Sequence, residues 1–201
     1  LSTDTYSCDV IALHKDIADQ TRANADAPLD MNRDAVEFLT QHMMLKREID
    51  WASTFFTTSV WSSDENGDWT GSNSAIDAIH GYQDTVEGNT GYRPNTLVLG
   101  ASAFQRLKNN SDVLDRIKYT QQGVVTEQLL AGLLGLDKVL VARAIKNTAN
   151  EGATASYSRV YETDSALLVY SAPPPSLMHP SGGYTFSWTG YSGAQSGQRV
   201  S

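Results

Sequence analysis

Ala35, Phe38, His42, Leu45, Ile49, Ala52 and Phe56 step along the chain by threes and fours. That spacing holds all of them on one side of a helix and predicts an unbroken α-helix over about 32–57. At about 1.5 Å per residue such a helix is about 39 Å long, which is long for a domain of ordinary size. Two architectures accommodate it: a core or coiled-coil helix, or a girder that spans a flat, extended subunit. Residues 1–30 read as an extended lead-in, and Asp30 or Asn32 is placed to cap the helix that follows.

Downstream, the periods shorten and alternate. Residues 58–72 read as a loop, with the turn signal Asn66-Gly67 inside "DENGDW". A helix over 74–90 carries Ile76, Ile79, Tyr82 or Gln83, and Val86, and Gly91 is placed to end it. A strand at 96–100, a short helix at 103–109 and a helical turn at 111–118 follow. A helix at 126–134 has Leu129, Leu130, Leu133 and Leu134 together, with Gly135 as its stop. The run "KVLVARAI" at 138–145 is apolar throughout, as a central strand is. A polar hairpin or loop at 146–158, a strand at 166–170, the break at Pro173, Pro174 and Pro175, and a last strand near 184–188 complete the order. The class is α+β, a mixed sheet flanked by helices.

The 201 residues, 40% hydrophobic and 19% charged, match a globular domain that buries roughly 70% of its unfolded surface. The single cysteine, Cys8, excludes an internal disulfide framework. Fifteen basic against 23 acidic residues give a net charge of −8, the reverse of the basic face of a nucleic-acid reader. No apolar run is long enough for a membrane helix, and no membrane partner is expected.

Candidate chemistry begins at "LGASAF", where Gly100 and Ser102 come close to the G-x-S-x-G elbow that presents a nucleophilic serine. The elbow needs a small residue where Phe104 stands. A capping box needs no such exception: Ser102 as N-cap with Gln105 three residues on predicts a helix start and no catalysis. The histidines His14, His42, His80 and His179 do not fall at metal-ligand spacing, and His42 lies on the apolar row as a packed histidine. Asp64, Asn66 and Asp68 open like a calcium loop, but Trp69 and Ala75 replace the glycine and glutamate that would complete it. Glu48 and Asp50, two apart on a helix, point away from each other and read as surface charges. The glycine-rich pieces "GNTGY" and "SGGY" match no phosphate-binding loop. No catalytic, cofactor-binding or metal-binding residue is therefore assigned, and no cofactor or enzymatic activity is expected.

The stretches "ADAPLDMNRDAVEFLTQHMMLKREIDWASTFF" at 25–56, "TGYRPNTLVLGASAFQRLKNNSDVLDRIKY" at 90–119, "TEQLLAGLLGLDKVLVARAIKNTANEG" at 126–152 and "SGGYTFSW" at 181–188 resemble, in that order, the tailed-phage major capsid proteins of the Hong Kong 97-type fold. The resemblance implies that 32–57 is the spine helix. It further implies a peripheral domain from 1–72 and 172–201, with a mixed-sheet axial domain, 73–171, inserted between them. Family members carry an N-terminal arm and an extended loop before the spine helix; this chain is expected to lack the arm and part of that loop. The implied function is structural. Copies assemble through hexamers and pentamers into an icosahedral shell that encloses phage DNA without sequence-specific binding, with scaffolding, portal and decoration proteins as further partners. The implied location is the virion, assembled in the host cytoplasm. The acidic balance suits a shell that must not hold its genome by counterion release. An encapsulin-type shell around protein cargo and a serine hydrolase using Ser102 remain the alternatives.

Overall fold

A computed structural model of the chain describes residues 11–26, 28–61, 63–70, 73–118, 124–173 and 179–186. Cys8, Pro174, Pro175 and the end of the strand expected at 184–188 lie outside them; 184–186 are irregular. The elements are α1 (Asp19–Ala23), α2 (Met31–Phe55), α3 (Ala75–Thr90), β1 (Thr96–Gly100), α4 (Ala101–Lys108), α5 (Ser111–Ile117), α6 (Glu127–Leu134), β2 (Lys138–Ala142), β3 (Ile145–Asn147), β4 (Tyr157–Arg159) and β5 (Ala166–Val169). The class is α+β, as the sequence implies.

The chain divides into two compact units, Leu1–Arg47 with Phe186–Ser201, and Glu48–Thr185. The border falls inside α2. In the first unit, Asp30 Oδ1 accepts the Asn32 and Arg33 N–H groups at 3.0 and 3.2 Å, so Asp30 is the cap of α2. Ala35 is buried, but Phe38 is 43% exposed, with the Lys15 ammonium 4.2 Å from its ring centre. His42 is exposed as well, its ring 4.1 Å from that of Phe38, and is not the packed histidine its place on the row suggests.

The second unit is built around β1. The sheet order is β2-β1-β5, with β2 parallel and β5 antiparallel to β1, so β1 is the centre and β2 an edge. This corrects the central position expected of 138–145. The strand stops at Ala142, Val139 faces the core, and Leu140 beside it is half-exposed, so its unbroken apolarity does not report burial on both faces. β1 has that burial instead. Leu97 and Leu99 join the larger core cluster with Ile76, Ile79, Phe104, Leu107, Val113, Leu130 and Leu134. Val98, on the opposite face as strand alternation requires, packs with Ala52, Phe56, Trp61, Tyr161 and Leu167. The last turn of α2 thus covers one face of the sheet, and α3 to α6 lie in the core on the other. Gly91 and Gly135 end α3 and α6 at φ 75° and 65°, a left-handed conformation open to glycine at little cost. The polar stretch after β2 forms the two-stranded ribbon of β3 and β4, antiparallel from Ile145↔Arg159 to Asn147↔Tyr157.

Candidate functional site

α4 starts one residue before Ser102. Its N-cap is Gly100, and no side chain caps it. The first-turn N–H groups of Ser102 and Ala103 both donate to the Thr163 carbonyl at 3.0 Å, and Gly100 N–H donates to Ser165 O at 2.8 Å. The chain ahead of β5 therefore closes the helix end with a main-chain oxygen. This corrects the capping box: Ser102 lies in the first turn of the helix, and the cap comes from about sixty residues away in sequence. It also bears on the elbow reading. An oxyanion hole would use the N–H that follows the serine, and Ala103 N–H is already committed to Thr163. Gly100 is required by close approach, because a Cβ there would collide with the carbonyl oxygens of Glu162 and Thr163.

Three buried or half-buried amides organise the rest of this unit. Gln83, fully buried, gives its Nε2–H to Leu134 O at 2.9 Å, closing one of the carbonyls that the end of α6 leaves free. Its Oε1 accepts from Arg93 Nη2 and His80 Nδ1, each at 3.0 Å, which puts the His80 proton on Nδ1. Asn95 gathers the ends of the sheet. Its Nδ2 reaches Ser171 O at 2.9 Å, its Oδ1 accepts Ser171 N–H at 2.8 Å, and its own carbonyl accepts from Asp137 and Lys138. Asn110, 1% exposed, donates to Trp69 O and Asn73 O, both at 3.0 Å, and its Oδ1 caps α5 through Asp112 N–H. Sequence reading missed all of these roles. The signal for Gln83 was a polar side chain in register with Ile76 and Ile79, and the row cannot say which distant carbonyl it meets.

The other sequence candidates serve local structure. Asp64 Oδ2 accepts Ser59 N–H at 2.6 Å. Asp68 holds Thr70 and Asn73, and the Thr70 hydroxyl bond, followed by the Thr70 N–H, keeps its carboxyl below the usual range. Glu48 is more than a surface charge. It faces Tyr161, whose phenol is pushed up to about 12 by burial and then by the Glu48 carboxylate beside it. Tyr161 stands edge-on to Phe56 at 5.3 Å and lies 6.1 Å from Trp51. His14 and His179 are exposed. Among the described residues no group of three or more His, Cys, Asp or Glu side chains is arranged to hold a metal, and no helix is long and apolar enough to cross a membrane.

What the surface does offer is apolar contact area. On α2, Val36, Phe38, Met44, Trp51 and Phe55 are at least about a third exposed. On the ribbon, Ile145 is 53% and Tyr157 70% exposed, and alternation puts both on one face. Such groups suit packing between protein surfaces better than chemistry on a small substrate.

The comparisons with known proteins point to phage capsids. The chain is 34% identical over 70 residues to the major capsid protein of Burkholderia phage BcepMu, a match that takes in 35% of this chain and 23% of that protein. The likeness to phage major capsid proteins read from the sequence is thus found again by direct comparison. In solved structures the chain is similar to a phage-related protein from Bordetella bronchiseptica RB50, with a TM-score of 0.68 and 24% identity, over 84% of this chain and 57% of that one. At that identity the likeness speaks for a shared fold. The chain therefore spans little more than half the length of this solved relative, and its match takes in under a quarter of the capsid protein. No family model matches the chain.

Proposed function

We propose that the chain is the shell-forming subunit of a tailed phage, folded on the Hong Kong 97 plan, whose copies associate through hexamers and pentamers into an icosahedral shell around packaged DNA. The observation that carries this reading is the 34% identity to a phage major capsid protein. The fold likeness to a phage-related protein supports it, as do the exposed apolar side chains along α2. In this reading α2 is the spine helix, 73–171 is the axial domain, and 1–72 with 172–201 is the peripheral domain. The unit Glu48–Thr185 contains all of 73–171, together with 48–72 and 172–185. The role is structural rather than enzymatic. The −8 charge fits enclosure of DNA without tight binding to it, and scaffolding, portal and decoration proteins are the partners such a shell would take. Assembly in the host cytoplasm and residence in the virion follow from the same reading.

Electron microscopy and light scattering of the product of the complete reading frame test it. Closed particles are expected, and nucleic acid inside them separates a phage shell from one that encloses protein cargo. A protein that stays monomeric at high concentration with its scaffold present would overturn the proposal.

A further inference from the structure

We propose that Asn66-Gly67 is a site of spontaneous covalent modification, at which Asn66 is converted to a mixture of aspartate and isoaspartate while the protein is folded. The reaction begins when the Gly67 main-chain nitrogen, having lost its proton to base, attacks Asn66 Cγ. The N–Cγ bond forms, the Cγ–Nδ2 bond breaks, and ammonia leaves. Water then opens the resulting succinimide. Attack at Cγ gives aspartate, and attack at the main-chain carbonyl gives isoaspartate, in which the chain runs through Cβ. The net change exchanges water for ammonia, with no oxidation or reduction.

Three conditions must hold, and this position meets them. The nucleophile must be unhindered, and Asn66 is the chain's one asparagine followed by glycine. The reacting groups must be free. Both residues are exposed, and among the described residues neither the Asn66 amide nor the Gly67 N–H is engaged in a hydrogen bond. The backbone must be able to rotate toward ring closure, and 63–69 lie outside helix and strand. Other asparagines fail at least one condition. Asn73, Asn95, Asn110 and Asn147 have their side chains bonded. Asn32 and Asn89 sit within helices. Asn24, Asn109 and Asn150 precede Ala, Asn and Glu, whose side chains obstruct the attack.

The consequences are local and readable. Conversion places a fourth carboxylate among residues 64–68, beside Asp64, Glu65 and Asp68. It also reroutes or recharges the chain just ahead of Trp69, which packs against the main core and whose carbonyl is held by Asn110. The test incubates the intact folded protein at neutral and mildly alkaline pH, followed by peptide mass mapping and labelling with an isoaspartyl methyltransferase. The peptide containing residue 66 should gain one mass unit and take the label, several times faster than any other asparagine peptide and faster at the higher pH. Asn66→Gln should abolish the labelled species. Gly67→Ala is a poorer control, since its Cβ would lie 2.9 Å from Tyr82 Oη and 3.0 Å from Trp69 Nε1. The proposal is overturned if the peptide converts only after denaturation, if another asparagine converts first, or if Asn66→Gln leaves the labelling unchanged.

Discussion

The starts of α4 and α6 solve one problem in opposite ways. At α6, the Thr126 side chain accepts Leu129 N–H at 3.2 Å, a cap made within four residues of sequence. At α4 the cap is the Thr163 carbonyl, delivered by the chain just before β5. The first helix end can be satisfied by its own segment. The second is satisfied only after β5 has docked antiparallel on β1, so it forms as part of the sheet. Between them stands α5, where Asn110 caps locally through Oδ1 and reaches Trp69 and Asn73 through Nδ2. The three helix starts therefore grade from tertiary through mixed to local, and substitutions should follow that grade.

The largest effect is expected at Gly100. An alanine methyl there meets the Glu162 and Thr163 carbonyl oxygens, and the Thr163 oxygen is held by the very bonds that cap α4. Relieving the overlap means pulling the 162–165 segment off the helix end. Gly100→Ala should cost about 3 kcal/mol or more, visible in urea denaturation or as loss of soluble protein. A variant as stable as the parent would show that the close approach is not structural.

This contrast also explains which parts of the molecule could be read from sequence. A cap of α2 at Asp30 or Asn32, and Gly91 and Gly135 as helix ends, depend on a few neighbouring residues and were legible, with the choice of Asp30 left to the structure. The order of α2 to α6 with β1, β2 and β5 was legible for the same reason, whereas α1 lies in a stretch that reads as extended. The Ser102 capping box was legible but wrong, because a long-range carbonyl holds the helix end and the helix starts two residues earlier, at Ala101. Gly100 looked like part of a catalytic elbow because sequence shows that a glycine is small without showing what presses against it. β2 was misplaced at the centre because Leu140 is apolar yet half-exposed, while β1, whose five residues look no more apolar, is the strand covered on both faces. The capsid likeness was legible through long ordered stretches rather than any short motif, as expected for a protein whose candidate surface is apolar area on α2.

Asn110 comes next in size and can be divided. Asn110→Ala removes two donations to carbonyls in a buried setting along with the cap to Asp112, and should cost about 2–3 kcal/mol. Asn110→Ser restores an oxygen at the cap but not the donors to Trp69 and Asn73, and should recover about 1 kcal/mol of that loss. Paired urea melts of the two variants measure the split. Equal losses would mean the anchoring half accounts for the whole effect and α5 needs no cap.

At α6 the purely local cap sets a smaller scale. Thr126→Ala should cost about 1 kcal/mol, since one N–H loses its partner at a helix end that water can reach. Thr126→Ser, which keeps the hydroxyl, should stay within a few tenths of a kcal/mol of the parent, so a large loss in that variant would locate the effect in the methyl group rather than the cap.

The smallest effect is expected at Ser102, and it is the one that discriminates most sharply between readings. If Ser102 were the N-cap, its alanine variant would lose about 1 kcal/mol, as at Thr126. In the structure Ser102 is already inside α4, and its contribution to the helix end is its main-chain N–H, which alanine retains. Alanine is also the better helix former by roughly half a kcal/mol, so Ser102→Ala should leave stability unchanged or raise it slightly. Urea melts of Ser102→Ala and Thr126→Ala under identical conditions provide the comparison. Similar losses in both would mean that the Ser102 hydroxyl caps the helix in solution and that Thr163 does not hold the N–H groups on which the contrast between the two helix starts depends.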